Sequence, residues 1–239
     1  MKSSEWTSPA HSGEGEIFSR LWAHEEPKAV LLLVHGMAEH SARYADFGSF
    51  LAQHGFAVFM NDHAGHGRSA VVKGHFADHD GWEHVLADLE RLEADARAKY
   101  PGLPVAIFGH SMGSFLTREY IARWGDGLAA AVICGTMGAN PLLGFARALA
   151  SLQAAVKGPK SPGKLIESLS TGGYHRQFPG EGPSAWPSFT ATLVLTRING
   201  MFLPPCYSAA GRCARRNCKT SSYTSALPAS LRISWRMPG

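Results

Sequence analysis

Apolar residues recur along the first 180 positions in alternating strand and helix patterns. Glu16 to Trp22 predicts an early strand. Lys28 to Val34 is apolar without interruption from Ala29 onward, as expected of a strand covered on both faces in a parallel sheet. Tyr44 to His54 spaces its apolar residues helically, with Gly55 as its stop. Phe56 to Met60 predicts the next buried strand. Trp82 to Lys99 predicts an amphipathic helix with Val85, Leu86, Leu89, Leu92 and Ala96 on one stripe. Leu103 to Phe108 reads as a strand, Gly113 to Trp124 as a helix, Ala129 to Gly135 as a strand, and Pro141 to Val156 as a mildly amphipathic helix. This alternation predicts an α/β class fold with a doubly wound, mostly parallel sheet.

The pattern breaks near residue 182. All 19 acidic residues and all 12 histidines lie at or before Glu181, whereas the rest of the chain keeps Lys and Arg. Three of the four cysteines (Cys206, Cys213, Cys218) fall in this stretch, and hydrophobic periodicity fades. The expected organisation is therefore a folded region over 13–181 and an atypical basic tail over 182–239. Two readings of that tail stay open: a disordered extension, or a translation that has left the evolved reading frame. On either, the fold is expected to be truncated at its C-terminal end.

Bulk composition narrows the classes. A chain of 239 residues that is 45% hydrophobic suits one large α/β domain. A net charge of +4, from dispersed basic residues, does not argue for nucleic acid. Met1 to Glu16 lacks the apolar core of a secretory signal, and no apolar run approaches the roughly 20 residues of a membrane span. The cysteines form no evenly spread disulfide framework. A cytoplasmic protein is expected, peripheral to a membrane at most.

Chemistry is concentrated at Gly109-His110-Ser111-Met112-Gly113, directly after the predicted strand Leu103 to Phe108. A buried strand that ends in Gly-x-Ser-x-Gly and turns into a helix is a nucleophile elbow. Its two glycines leave room for a turn so tight that a Cβ would collide with backbone, while the serine hydroxyl stands above the sheet in a strained conformation. Histidines and carboxylates are also dense at Asp62, His63, His66, His75, Asp78, His79, Asp80 and His84, yet no His-Glu-x-x-His or comparable ligand spacing occurs. Neither these residues nor the three late cysteines are expected to bind a metal.

Four blocks occur in order: His35-Gly36-Met37-Ala38-Glu39-His40, Asp62-His63-Ala64-Gly65-His66-Gly67-Arg68-Ser69, Tyr100-Pro101-Gly102-Leu103-Pro104, and the elbow itself. Together they resemble the monoacylglycerol lipase and lysophospholipase group of serine α/β-hydrolases (serine aminopeptidase S33-like), over about residues 13 to 180. The resemblance implies an α/β-hydrolase fold with a helical lid beginning near residue 140. It implies Ser111 as nucleophile, the backbone N–H groups of Met37 and Met112 as oxyanion hole, and Gly109, His110 and Gly113 as elbow. His35, Gly36, Asp62 and His66, with Arg68, would support the loops.

The family's acid and histidine follow the serine in chain order. The acid is expected within the stretch that holds no Asp or Glu, and the histidine beyond Gly239, so neither is assignable. Asp126 and His175 stand in the right order, but Asp126 follows the helix after the elbow and His175 falls in the lid. The implied activity is hydrolysis of monoacylglycerol or lysophospholipid esters through an acyl-enzyme on Ser111. The alternative is a hydrolase-like remnant without its triad. A small acyl ester is the expected partner, with weak membrane contact through the lid, and no cofactor is implied.

Overall fold

The computed structural model describes residues 1–136, 138, 143–158, 160–161 and 194–197. In chain order the elements are β1 (Lys2–Pro9), β2 (Glu16–Ala23), β3 (Ala29–Val34), α1 (Ala45–Gln53), β4 (Phe56–Asn61), α2 (Gly81–Lys99), β5 (Val105–His110), α3 (Met112–Trp124), β6 (Leu128–Cys134), α4 (Leu143–Lys157) and β7 (Val194–Arg197). The strands form one sheet in the order β1-β2-β4-β3-β5-β6-β7. Its centre, β4-β3-β5-β6, is parallel, while β1, β2 and β7 add to the flanks in antiparallel fashion.

The central strands explain the unbroken apolar runs. Every residue of β3 is buried. Val30, Leu32 and Val34 enter the layer that contains Leu86, Leu89 and Leu92 of α2 and Leu116 and Tyr120 of α3. Leu31 and Leu33 enter the opposite layer with Trp22, Val58, Met60 and Leu51 of α1. A strand that feeds two cores has no polar face to alternate with. Burial at roughly 25 cal/mol per Å² on both faces makes this strand the anchor of the fold.

Strand order also locates the ligand end. The chain leaves β3 toward β4 on one side and returns to β5 on the other side of β3. Loops that leave β3 and β5 at their C-terminal ends therefore diverge, and in open α/β sheets ligands bind at such switch points. Pairing of Val34 with Gly109, and of His110 with Cys134, brings the ends of β3, β5 and β6 level.

Two strands were not foreseen. The strand β1 is exposed along most of its length and carries no apolar alternation, so only its pairing with β2 reveals it. The strand β7 lies inside the stretch read as a basic tail; the rest of 182–239, with Cys206, Cys213 and Cys218, falls outside the described residues, as does His175 of the expected lid. The helix expected over Pro141 to Val156 is α4, which exposes Phe145, Leu152 and Val156. Among the described residues no helix is long and apolar enough to cross a membrane.

Candidate active site

Ser111 sits between the end of β5 and the start of α3 at φ 52°, ψ −119°. This is the first central position of a type II′ turn, which L-residues avoid, and a non-glycine residue held there stores on the order of 1–3 kcal/mol. Close packing on both sides fixes it. A Cβ on Gly109 would lie against the Gly113 carbonyl and the Thr117 hydroxyl, and one on Gly113 would fall on the Val34 and His35 carbonyl oxygens. The two glycines of the elbow are thus required by approach of backbone to backbone.

Hydrogen bonds complete the turn. The Ser111 N–H donates to the Cys134 carbonyl at 2.9 Å, joining the elbow to the end of β6. The Ser111 carbonyl accepts from the Ser114 N–H at 2.9 Å and from the Ser114 hydroxyl at 2.5 Å. The Ser111 side chain itself is only half-buried.

The loop after β3 passes beside the elbow. A Cβ on Gly36 would lie 3.0 Å from the Ser111 Cβ, so the loop backbone touches the serine. Met37 follows and is 69% exposed. Ala38 then takes φ 58°, a left-handed conformation that turns the loop. Among the described residues neither the Met37 N–H nor the Met112 N–H has a hydrogen-bond partner. Met112 opens α3, where its own N–H has no acceptor within the helix and the positive end of the helix dipole lies.

Glu39 ties this loop to the elbow. It is 5% exposed, and its Oε2 accepts from the Gly36 N–H at 2.7 Å, the Tyr44 hydroxyl at 2.8 Å and His110 Nδ1 at 3.2 Å. Burial pushes its pKa up. The hydrogen bond and charge of His110, with the Gly36 and Tyr44 hydrogen bonds, outweigh that and hold the carboxyl at about 2. In the sequence Glu39 stands within His35-Gly36-Met37-Ala38-Glu39-His40 with no role of its own to mark it. The available signal was a carboxylate three residues after a loop glycine, in reach of that glycine's amide.

The remaining expected loop residues gather behind β3. His35 Nδ1–H donates to the Gly36 carbonyl at 2.7 Å, and its Nε2 accepts from the His63 N–H at 3.0 Å. These two bonds fix the neutral tautomer. Burial, the largest influence, lowers the His35 pKa to about 4, against an opposing hydrogen bond to Gly36. His63 stacks on it at 3.9 Å and is itself held well below its ordinary range by burial. His66 packs at 5.4 Å from His35 and bonds the Ala64 carbonyl at 3.0 Å. Asp62 is buried and cross-links two loops: Oδ1 accepts from the Ser41 N–H at 2.5 Å, Oδ2 from the Arg68 N–H at 2.8 Å. The Arg68 guanidinium covers the Phe18 ring at 3.9 Å and pairs with Glu5. All of these shape loops, and none touches the serine hydroxyl.

A base for Ser111 is not among them. Among the described residues no histidine hydrogen-bonds to Ser111 Oγ. Asp126 is exposed in the turn before β6, at the end of the sheet opposite the elbow, which removes it as a partner of Ser111. His175 lies outside the described residues. Among the described residues no group of three or more His, Cys, Asp or Glu side chains is placed to hold a metal.

The family described as "Serine aminopeptidase, S33" matches residues 25–177. A monoacylglycerol lipase of Mycolicibacterium smegmatis is 32% identical over 172 residues, covering 71% of this chain and 60% of that protein. The human monoglyceride lipase is 38% identical over 99 residues, covering 41% of this chain and 31% of that protein. Among solved structures, a thermostable carboxyl esterase from Bacillus coagulans in complex with glycerol superposes with TM-score 0.66 at 29% identity, covering 77% of this chain and 60% of that one. The chain thus spans three fifths or less of the length of these relatives.

Proposed function

We propose, for a chain that belongs to the serine aminopeptidase S33 family of α/β-hydrolases, that it cleaves carboxylic esters of monoacylglycerol or lysophospholipid type through an acyl-enzyme on Ser111. One observation carries this reading: a serine held at φ 52° at the end of β5, with two unengaged backbone N–H groups beside it, those of Met37 and Met112. Ser111 Oγ attacks the ester carbonyl and its proton passes to a base. The carbonyl oxygen becomes an oxyanion that the two N–H groups receive. Collapse expels the alcohol, which takes the proton, and water then releases the fatty acid by the same route. The names of the relatives favour acylglycerol esters as substrates.

The roles of His35, Gly36, Asp62, His66 and Arg68 on this reading are structural, and no cofactor enters. The helix α4, with Phe145, Leu152 and Val156 exposed on it, would serve as the lid and touch a lipid surface. The competing reading is a hydrolase-like remnant that binds acyl chains without turning them over, since an elbow without its base keeps only the residual catalysis of binding and the oxyanion hole.

Labelling of the purified chain with a fluorophosphonate probe, beside Ser111→Ala, separates the two. Labelling that disappears in the variant and persists in EDTA supports the serine hydrolase. No labelling of a folded wild-type chain supports the remnant.

A further inference from the structure

We infer that Glu39 is a positioning residue that sets the geometry of the oxyanion hole, by holding the loop before Met37 and the residue before Ser111 on one carboxylate oxygen. This rests on the acyl-transfer reading of Ser111. The two N–H groups proposed to receive the oxyanion belong to different loops, one after β3 and one after β5. Their separation must be fixed to a fraction of an ångström for both to reach one oxygen. No direct hydrogen bond joins the Met37 and Met112 backbones. Glu39 Oε2 supplies the missing link. It receives the N–H of Gly36, which precedes Met37, and Nδ1 of His110, which precedes Ser111.

Other features make the link stiff. Tyr44 donates its hydroxyl to the same oxygen from the start of α1, and Arg43 approaches Oε1 at 3.5 Å, so both carboxylate oxygens are engaged. Glu39 is buried, and a carboxylate removed from water binds its donors strongly because no solvent competes for it. The left-handed Ala38 between Met37 and Glu39 is the turn that brings the side chain back under its own loop. Gly36 has no room to drift: it is packed between Glu39 Oε2 and the Ser111 Cβ. The partners of Glu39 are Gly36, Tyr44, His110 and Arg43 and not the serine hydroxyl, so its effect passes through the Gly36–Met37 backbone.

The test compares wild type, Glu39→Gln, Glu39→Ala and Tyr44→Phe by the kinetics of fluorophosphonate labelling, with melting curves on the same samples. The expected result is an ordered loss in the maximal labelling rate. It is largest for Glu39→Ala, about 10²-fold for Glu39→Gln, and smaller for Tyr44→Phe, which removes one donor and leaves the Gly36 bond. The probe concentration for half-maximal rate stays near the wild-type value, which a general loss of structure would not spare. Should Glu39→Ala fail to fold, the isosteric Gln and the Tyr44→Phe variants still give the order. Labelled wild type with Glu39→Gln labelled within twofold of it overturns the role of Glu39 alone. A folded wild type that is not labelled overturns the acyl-transfer reading, and the Glu39 inference with it.

Discussion

The amide of His63 donates to Nε2 of His35 at 3.0 Å, and the bond exists only while that nitrogen is unprotonated. Burial keeps His35 in that state by lowering its pKa from 6.5 to about 4. His63, stacked on it, is shifted in the same direction. The unfolded chain takes up these protons below pH 6.5 and the folded chain does not. Stability is therefore complete above pH 6.5 and falls as the pH drops toward 4, by about 3 kcal/mol for His35. Glu39, lowered from 4.5 to about 2, opens a second window of loss between those values. Urea midpoints at pH 7.5, 5.5 and 4.5 should decline in step, and His35→Gln should flatten the decline. A pH-independent midpoint over this range would contradict the burial of neutral imidazoles.

Gly113→Ala is expected to destabilise the fold by about 3 kcal/mol, since the added methyl falls on the Val34 and His35 carbonyl oxygens, which belong to the central strand and its loop and cannot retreat. Gly144→Ala in exposed α4 serves as the opposite case. A Cβ there meets nothing within 4 Å, and alanine favours a helix, so stability should hold or rise by about 0.5 kcal/mol. Chemical denaturation of both variants checks the contrast. Equal effects would mean that the turn is looser than its contacts indicate.

Tyr120 of α3 donates its hydroxyl to Glu93 Oε2 of α2 at 2.5 Å, and it is 1% exposed. Arg97 holds the other oxygen of the same carboxylate at 2.7 Å. Tyr120→Phe leaves a buried, charged acceptor one donor short and should lower stability by about 2 kcal/mol. Because the pair lies away from the elbow, the folded fraction should label with fluorophosphonate at the wild-type rate. A slower rate in fully folded Tyr120→Phe would show that the α2–α3 contact also tunes the serine.

These residues show which features the sequence could disclose. The strand β3 was legible because a strand buried on both faces must be apolar throughout, and the elbow because its two glycines answer to contacts that no other residue can make. The strand β1 was hidden, since Lys2–Pro9 is held by backbone pairing and its exposed side chains need no pattern. Glu39 was hidden for another reason. Its chemistry depends on His110, 71 residues away, and on Tyr44, and only the fold brings the three together. Isolated motifs report the geometry of one turn; the link between two turns is a property of the sheet that carries them.

That link suggests a last variant. Ala38 occupies φ 58°, where a Cβ costs roughly 1 kcal/mol, while glycine in its place gains freedom in the unfolded chain at a similar cost. Ala38→Gly should therefore leave the melting temperature nearly unchanged, unlike an alanine-to-glycine change inside a helix, which loses about 1 kcal/mol. Function should respond differently. The methyl narrows the conformations open to the loop between Met37 and Glu39, and glycine would let the Met37 N–H wander while the Gly36–Glu39 bond persists. The expected outcome is a fluorophosphonate labelling rate reduced about 3- to 10-fold at unchanged stability. An unchanged rate would place all the stiffness of the loop in Glu39, and an increased rate would mean that the left-handed alanine holds the loop away from its best geometry.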